Sequence, residues 1–159
     1  MLGGMNNGSG VDDPGPLTEN REIGRRVLEE MWGQGRLELA DQLYAPDYVD
    51  HASRGPEPGT VVGPQGIRDA VASFRAAFPD LRYEVEEVMA ERDLVMTRFS
   101  ARGTHRGRFL GVEPSGREIS YTGTDINRIS GGKIVESWVH YDALGLLEQL
   151  GLIPPIEGM

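Results

Sequence analysis

The chain has 159 residues, a formal net charge of −9 at pH 7 and no cysteine. Disulfides, thiol nucleophiles and thiolate metal sites are therefore excluded, and the length suits one domain with a single core. The acidic balance argues against nucleic acid as a partner, because binding a phosphate backbone needs basic patches. No apolar run approaches the roughly 20 residues of a membrane span. No secretory signal precedes the chain's first predicted helix, so a cytoplasmic location is the default expectation.

The N-terminal part of the chain is predicted to contain a tail followed by helices. Residues 1–16 are rich in Gly, Asn and Pro, which is typical of a flexible tail, and a single domain is expected over 17–159. Thr18 is the expected N-cap of a first helix, which should end at the glycines 33 and 35. A second short helix is expected over 36–44.

The next segment is expected to be a loop, followed by a third helix. Residues 47–63 contain many helix and strand breakers and few apolar residues. Pro64 then stands at a favourable first helical position. Apolar residues recur at helical spacing from Ile67 to Phe78, which predicts an amphipathic helix over 64–78.

The C-terminal half changes to a period of two, which indicates strands. Four consecutive strands are predicted, and Asp142 is expected to cap a short helix after them; the strands cover 81–91, 94–105, 116–130 and 133–141. Their short connections favour a mostly antiparallel sheet. Helices followed by strands form an α+β plan, and a strongly curved sheet wrapped on helices leaves a hollow in which small ligands bind.

The third predicted strand carries a carboxylate on its inward face. Strand side chains alternate between faces, and the face of Asp125 begins and ends with Ile119 and Ile129. An unpaired charge is costly on such a surface. Burial would raise the pKa of the carboxyl into a range useful for acid/base chemistry. The alternative is a structural Asp held by backbone donors or by an arginine, for which the candidates are Arg98, Arg102 and Arg128.

Several motifs occur in a specific order along the chain. They are "LYAPDYVDHAS", "FPDL", "HRGRFLG", "EPSGR", "GKIVESW" and an Asp followed by "LLEQLG". In this order and spacing they resemble the SnoaL-like polyketide cyclases of the nuclear-transport-factor-2-like superfamily, over nearly everything from Thr18 to Leu152. The resemblance implies a cone-shaped curved antiparallel β-sheet packed on three N-terminal helices, the NTF2-like or cystatin-like α+β barrel.

The resemblance also implies a chemistry and two catalytic residues. Asp125 would be the general acid/base of an intramolecular aldol-type ring closure or enolisation, acting on a small hydrophobic or polyketide-like carbonyl compound without a metal or cofactor. His105 would line the pocket near Asp125 and share its proton or donate to an oxyanion. A half-solvated histidine that caps a strand end is an equal alternative for His105.

Further residues are expected to contact the ligand. His51 either lines the pocket, oriented by Asp50, or hydrogen-bonds the backbone of its loop. Aromatic side chains at these positions are usually core, and some should also form the pocket wall: Phe74, Phe99, Phe109, Tyr121 and Trp138. The three histidines have no metal-ligand spacing, so no metal site is predicted.

Two other functions and one assembly state complete the expectations. The same fold supports non-catalytic domains that bind a small molecule or a protein. An epoxide-opening hydrolase is a weaker alternative, in which Asp125 would work with Arg98 or Arg102. The outer sheet face is expected to carry an uncovered apolar patch, which predicts a homodimer; the patch consists of Ile126, Val135, Val139 and Tyr141.

Overall fold

The computed structural model describes residues 14–51 and 60–158. Helices cover one face of a six-stranded sheet whose strand order is β2-β1-β6-β5-β4-β3. The helical segments are α1 (Pro14–Arg26), a π-helical turn (Val27–Trp32), a 3₁₀ turn (Leu37–Leu39), α2 (Ala40–Leu43), α3 (Gly63–Ala77) and α4 (Ala143–Gln149). The strands are β1 (Tyr44–Asp50), β2 (Thr60–Val61), β3 (Arg82–Glu91), β4 (Leu94–Thr104), β5 (Glu118–Ser130) and β6 (Lys133–Tyr141). The α+β fold predicted from the sequence is confirmed.

The first helix starts earlier than the sequence predicted. It begins at Pro14, so Thr18 lies inside it and the predicted N-cap is wrong. Proline is tolerated in a first helical turn, because the amide hydrogen that it lacks would have no partner there. Most of the expected tail, residues 1–13, lies outside the described residues. The predicted end of the helical segment is confirmed by Gly35, which turns the chain at a φ of +74°.

The third helix, the four long strands and the last helix agree with the sequence pattern to within a few residues. Pro64 lies in the first turn of α3 as expected. The carboxylate of Asp142 accepts a hydrogen bond from the amide of Gly145 at 2.8 Å, which confirms the predicted cap of α4.

The expected loop over 47–63 is partly wrong, since its first four residues belong to strand β1. This strand pairs parallel with β6, so the sheet is not wholly antiparallel. The ladder is irregular between Tyr44 and Val49, where Pro46 and Asp47 are exposed. A proline at a bulge hides the strand pattern, and a parallel pairing with residues about 90 positions away leaves no local signal.

The helices meet the inward face of the sheet in two apolar clusters. One cluster joins the π-helical turn, α3 and β1 around Met31, Tyr48 and Val71. The other joins the end of α3 to β4, β5 and α4 around Phe78 and Phe99. Trp32 packs against both clusters, and the cavity described below lies between them. In the described part of the chain, no helix is long and apolar enough to cross a membrane.

Candidate active site

A cavity of about 160 Å³ lies between the sheet and the helices. Its wall is largely aromatic, and it includes every tyrosine of the chain: Tyr44, Tyr48, Tyr83, Tyr121 and Tyr141. An apolar cavity of about 150 Å³ holds a benzene molecule. In this conformation the cavity therefore has room for roughly one aromatic ring.

The charged groups of the cavity wall are all acidic. Asp50 and Asp125 contribute carboxylates, and no Lys, Arg or His is present among the described residues that line the cavity. Asp50 is the last residue of β1, and its negative charge is one of the influences that raise the pKa of Asp125. The sequence indicated Asp50 only as a residue that orients His51, because the strand that carries Asp50 into the cavity has no recognisable pattern.

Asp125 lies on the inward face of β5, as predicted. Its side chain is buried, and its strand neighbours are Thr97 of β4 and Val139 of β6. Its Oδ2 accepts a hydrogen bond from the Nδ2 of Asn127 at 2.9 Å, whereas its Oδ1 has no hydrogen-bonding partner among the described residues. Burial raises the pKa of Asp125 to about 6, against the opposing effect of the Asn127 hydrogen bond.

A buried hydrogen-bonded chain holds Asn127 in its orientation. The hydroxyl of Ser137 donates to the Oδ1 of Asn127 at 2.6 Å, and Tyr48 hydrogen-bonds the side chain of Ser137. Because the amide oxygen of Asn127 is used in this way, its nitrogen faces Asp125 as a donor. The sequence placed Asn127 on the inward face, but its link to Ser137 depends on the register between β5 and β6.

None of the three candidate arginines pairs with Asp125, so that version of the structural interpretation is wrong. Arg98 pairs with Glu86 and Glu87 on the outer face. Arg128 pairs there with Asp93 and Glu136, at 2.7 and 2.9 Å. Arg102 is exposed opposite Ser120. All three arginines alternate with the inward residues of their strands, which places them across the sheet from Asp125.

The structure does not bring His105 to Asp125. The amide of His105 donates a hydrogen bond to the carbonyl of Arg117. Arg117 precedes Asp125 by eight residues, and eight residues of extended strand span about 26 Å. His105 is fully buried, packs on Phe78 with ring centroids 5.6 Å apart, and does not line the cavity. Its Nδ1 accepts from the amide of Ser115 at 3.2 Å. The expectation that it lies near Asp125 is wrong. The alternative of a histidine that caps the loop at a strand end agrees with the Ser115 contact, but the expected half-solvation is wrong.

His51 and Trp138 lie on the outer face of the sheet, so the expectation that they line the pocket is wrong. Their rings stack 4.9 Å apart at 6°. The Nε2 of His51 lies 3.3 Å from a carboxylate oxygen of Glu136, and the guanidinium of Arg128 lies over the Trp138 ring. Trp138 pairs with Ile126 of β5, which faces outward.

For the C-terminal part of β6, the sequence therefore predicts the wrong face of the sheet for each side chain. Val139 and Tyr141 were expected on the outer face, and both line the cavity. A register irregularity between Arg128 and Ile129 shifts the pairing of β5 with β6. A shift of one residue moves side chains to the opposite face, and strand alternation alone does not show where it occurs.

The aromatic residues expected in the wall are mostly there. Phe74, Phe99 and Tyr121 line the cavity, whereas Phe109 packs behind Phe74 with ring centroids 5.4 Å apart. Gly123 lies between Tyr121 and Asp125 on the inward face of β5, and the space beside it is filled by neighbouring residues. A Cβ built on Gly123 would lie 2.6 Å from the Phe99 ring, so this glycine allows that ring to close over the strand.

Comparisons with known proteins agree with this architecture. The model of the SnoaL-like polyketide cyclase family matches residues 22–150. The nogalonic acid methyl ester cyclase of Streptomyces nogalater is 33% identical over 119 residues, which cover 74% of this chain and 87% of that protein.

Solved structures show the same relationship. IdmH of Streptomyces antibioticus, a provisionally assigned polyketide cyclase, is 35% identical to this chain and superposes with a TM-score of 0.72. The match covers 83% of this chain and 98% of the IdmH chain. AclR of Streptomyces galilaeus, a provisionally assigned hydroxylase, is 28% identical with a TM-score of 0.76, covering 88% of this chain and 85% of its own. The chain belongs to the SnoaL-like polyketide cyclase family.

Proposed function

We propose that the chain is a cyclase in which Asp125 is the general acid and base for an intramolecular aldol-type ring closure. The substrate is a small hydrophobic carbonyl compound, and the reaction needs no cofactor. The observation that carries the proposal is the environment of Asp125. It is a buried carboxylate in an aromatic cavity, with one oxygen held by Asn127 and the other without a partner among the described residues.

The proposed reaction begins with removal of a proton. The free Oδ1 of ionised Asp125 takes a proton from a carbon that lies between two carbonyl groups, which leaves an enolate and a neutral carboxylic acid. The enolate carbon attacks a ketone carbon of the same molecule, so a carbon–carbon bond forms and the ketone oxygen becomes an alkoxide. Asp125 then returns its proton to the alkoxide, and the carboxylate is restored.

The pKa of Asp125 suits both steps. With a pKa of about 6, the carboxyl is ionised in roughly ten molecules of eleven at pH 7 and is a stronger base than an ordinary Asp. The hydrogen bond from Asn127 keeps the pKa from rising further. His105 takes no part in the proposed proton transfer, because it is remote from the cavity.

The first substrate to test is nogalonic acid methyl ester, the compound in the name of the curated relative; because it is larger than one aromatic ring, its conversion also requires the cavity to widen from this conformation. Ring closure is followed by chromatography, since an aldol closure leaves the mass unchanged. We expect conversion by the wild type, and a kcat lowered by roughly 10²–10⁴ in Asp125→Asn. Equal conversion by both proteins would overturn the role of Asp125. Binding without conversion would instead favour a non-catalytic binding domain.

An epoxide-opening hydrolase is not proposed. The cavity contains the two carboxylates that such an enzyme would use, but that interpretation also required Arg98 or Arg102 beside Asp125. Both arginines lie on the outer face of the sheet.

We also propose that the protein is a homodimer, with an interface different from the one the sequence indicated. Cross-strand partners form an apolar stripe across the outer face; this outer stripe consists of Met89, Met96, Ile126 and Trp138. Met89 is 51% exposed, and the other three are partly exposed. An apolar stripe of this length favours association, and a two-fold dimer is the commonest form.

A further inference from the structure

The cavity has a second polar group, which the proposed proton transfer does not use. The hydroxyl oxygens of Tyr83 and Tyr121 lie 2.7 Å apart, a hydrogen-bonding distance. Both side chains line the same cavity as Asp125. Tyr121 is four residues from Asp125 on one face of β5, which is about 13 Å along the strand. The ring of Phe99 lies over Gly123 between them, so an apolar section separates the two polar groups.

The number of hydrogens in this pair leaves one donor free. Two hydroxyls carry two hydrogens, and a single hydrogen bond between them uses one. Neither hydroxyl has another hydrogen-bonding partner among the described residues. Whichever tyrosine donates to the other, the second therefore keeps an O–H for a group in the cavity.

The pair remains a donor at neutral pH. Burial raises the pKa of both phenols above their ordinary value. A donor that is itself hydrogen-bonded is polarised by its neighbour and binds an acceptor more strongly. The described cavity wall offers no cation to compete for such an acceptor.

We propose that the Tyr83–Tyr121 pair binds a carbonyl oxygen of the ligand, on the other side of the Phe99 ring from Asp125. The ligand then has two reactive or polar groups. An acidic C–H group lies beside Asp125, and an oxygen acceptor lies at the tyrosine pair. An apolar part of the ligand joins them past Phe99. The inference rests on the proposed function in one respect, that this cavity binds the substrate. It does not require Asp125 to be catalytic.

Two probes of equal shape test the subsite by equilibrium binding. Acetophenone has a carbonyl oxygen where α-methylstyrene has a methylene group, and both approach the size of the cavity. Ligand-observed NMR at pH 8 gives their dissociation constants under conditions in which Asp125, with a pKa of about 6, is ionised and is not a donor. We expect the wild type to prefer acetophenone by roughly threefold to tenfold, as one hydrogen bond would provide.

Substitutions of Tyr83 and Tyr121 should change the preference for acetophenone in a pattern that a purely structural role of the two tyrosines would not produce. In Tyr83→Phe or Tyr121→Phe the remaining hydroxyl keeps its own hydrogen, so each single variant should still prefer acetophenone. The double variant has no hydroxyl there, and its preference should vanish. Thr122→Val is the control, because it removes an exposed hydroxyl from the outward face of β5, away from the cavity wall, and its preference should stay as in the wild type.

Three results would overturn the subsite: no preference in the wild type, no binding of either probe, or a preference kept by a folded double variant. If the double variant does not fold, the infrared carbonyl stretch of acetophenone bound to the wild type decides. A frequency below the value in hexane supports the hydrogen bond, and an unchanged frequency contradicts it. Because no turnover is measured, a failed subsite is distinguished from a failed assignment of Asp125.

Discussion

Asn127 follows Asp125 by two residues on the same face of β5, and its amide nitrogen donates to the carboxylate at 2.9 Å. This contact is the only one of the resolved influences on Asp125 that lowers its pKa; burial and the charge of Asp50 both raise it. Ser137 holds the amide in that orientation through a 2.6 Å hydrogen bond to its oxygen. Burial is the largest influence on the pKa of Asp125, and Asn127 limits the rise that burial causes.

Asn127→Leu should move the acid limb of the pH profile of kcat/KM to higher pH, because Asp125 loses its donor and its pKa rises. The variant should also lose about 1–3 kcal/mol of stability, since the Ser137 hydroxyl and the carboxylate lose their partner. Ser137→Ala is the control. It keeps the Asn127–Asp125 contact and should displace the limb less. An unmoved limb in Asn127→Leu would show that the amide does not tune Asp125.

The raised pKa of Asp125 predicts a pH-dependent stability. The folded pKa, about 6, exceeds the ordinary 3.8, so the folded state binds this proton more tightly than the unfolded state. The resulting stabilisation is present below pH 3.8 and is lost as the pH rises through 6, and its full size is on the order of 3 kcal/mol. Asp125→Asn has no titrating carboxyl at this position, so it lacks this pH-dependent contribution to stability.

The stability of Asp125→Asn relative to the wild type should therefore increase between pH 4 and pH 7.5. Thermal or urea melts of both proteins at several pH values measure this, and the other titrating groups largely cancel in the comparison. A difference that does not change over this range, or a variant less stable at pH 7.5 than at pH 4 relative to the wild type, would mean that the pKa is not raised.

His105 should matter for stability rather than for proton transfer. In His105→Leu the amide of Ser115, an exposed residue, loses its acceptor, which should cost about 0.5–1.5 kcal/mol in urea unfolding. The kcat of the folded variant should stay close to that of the wild type. Ser115→Ala, which removes the hydroxyl but keeps the amide bond to His105, should cost less. A kcat lowered a hundredfold in stable His105→Leu would restore the catalytic expectation.

The outer stripe should decide the assembly state. The wild type is expected to have twice the 17.4 kDa mass of one chain in light scattering. Ile126→Lys places a charge in the middle of the stripe and should shift the protein to monomers. Leu110→Lys is the control, because Leu110 is 58% exposed but lies in the connection between β4 and β5. A wild type that is monomeric at high concentration would refute the dimer.

The fold could be predicted from the sequence where the signal is local. Alternation along β5 identified the inward face of Asp125, and Asp142 and Pro64 marked helix starts, because these patterns depend on neighbours in the chain. Strand β1 was missed because its partner is distant and Pro46 interrupts its pattern.

The candidate site could be predicted only in part, for a related reason. Asp125, Tyr121, Phe74 and Phe99 were found, since inward faces and aromatic stripes are periodic. The face of the sheet on which Trp138 lies depends on an irregularity in the pairing of β5 with β6, and the periodicity of the sequence does not show that irregularity. The contacts of Asn127 with Ser137 and of Tyr83 with Tyr121 join different strands, so only the sheet register reveals them.

The central claim is that Asp125 transfers a proton to and from carbon, and hydrogen–deuterium exchange of 2-indanone tests it most directly. This small ketone has acidic C–H bonds, and NMR in D₂O at pH 7 follows their loss without knowledge of the natural substrate. The account predicts exchange accelerated by the wild type and slowed by roughly 10²–10⁴ in Asp125→Asn. Exchange that the wild type does not accelerate, or that a folded Asp125→Asn accelerates equally, would contradict it.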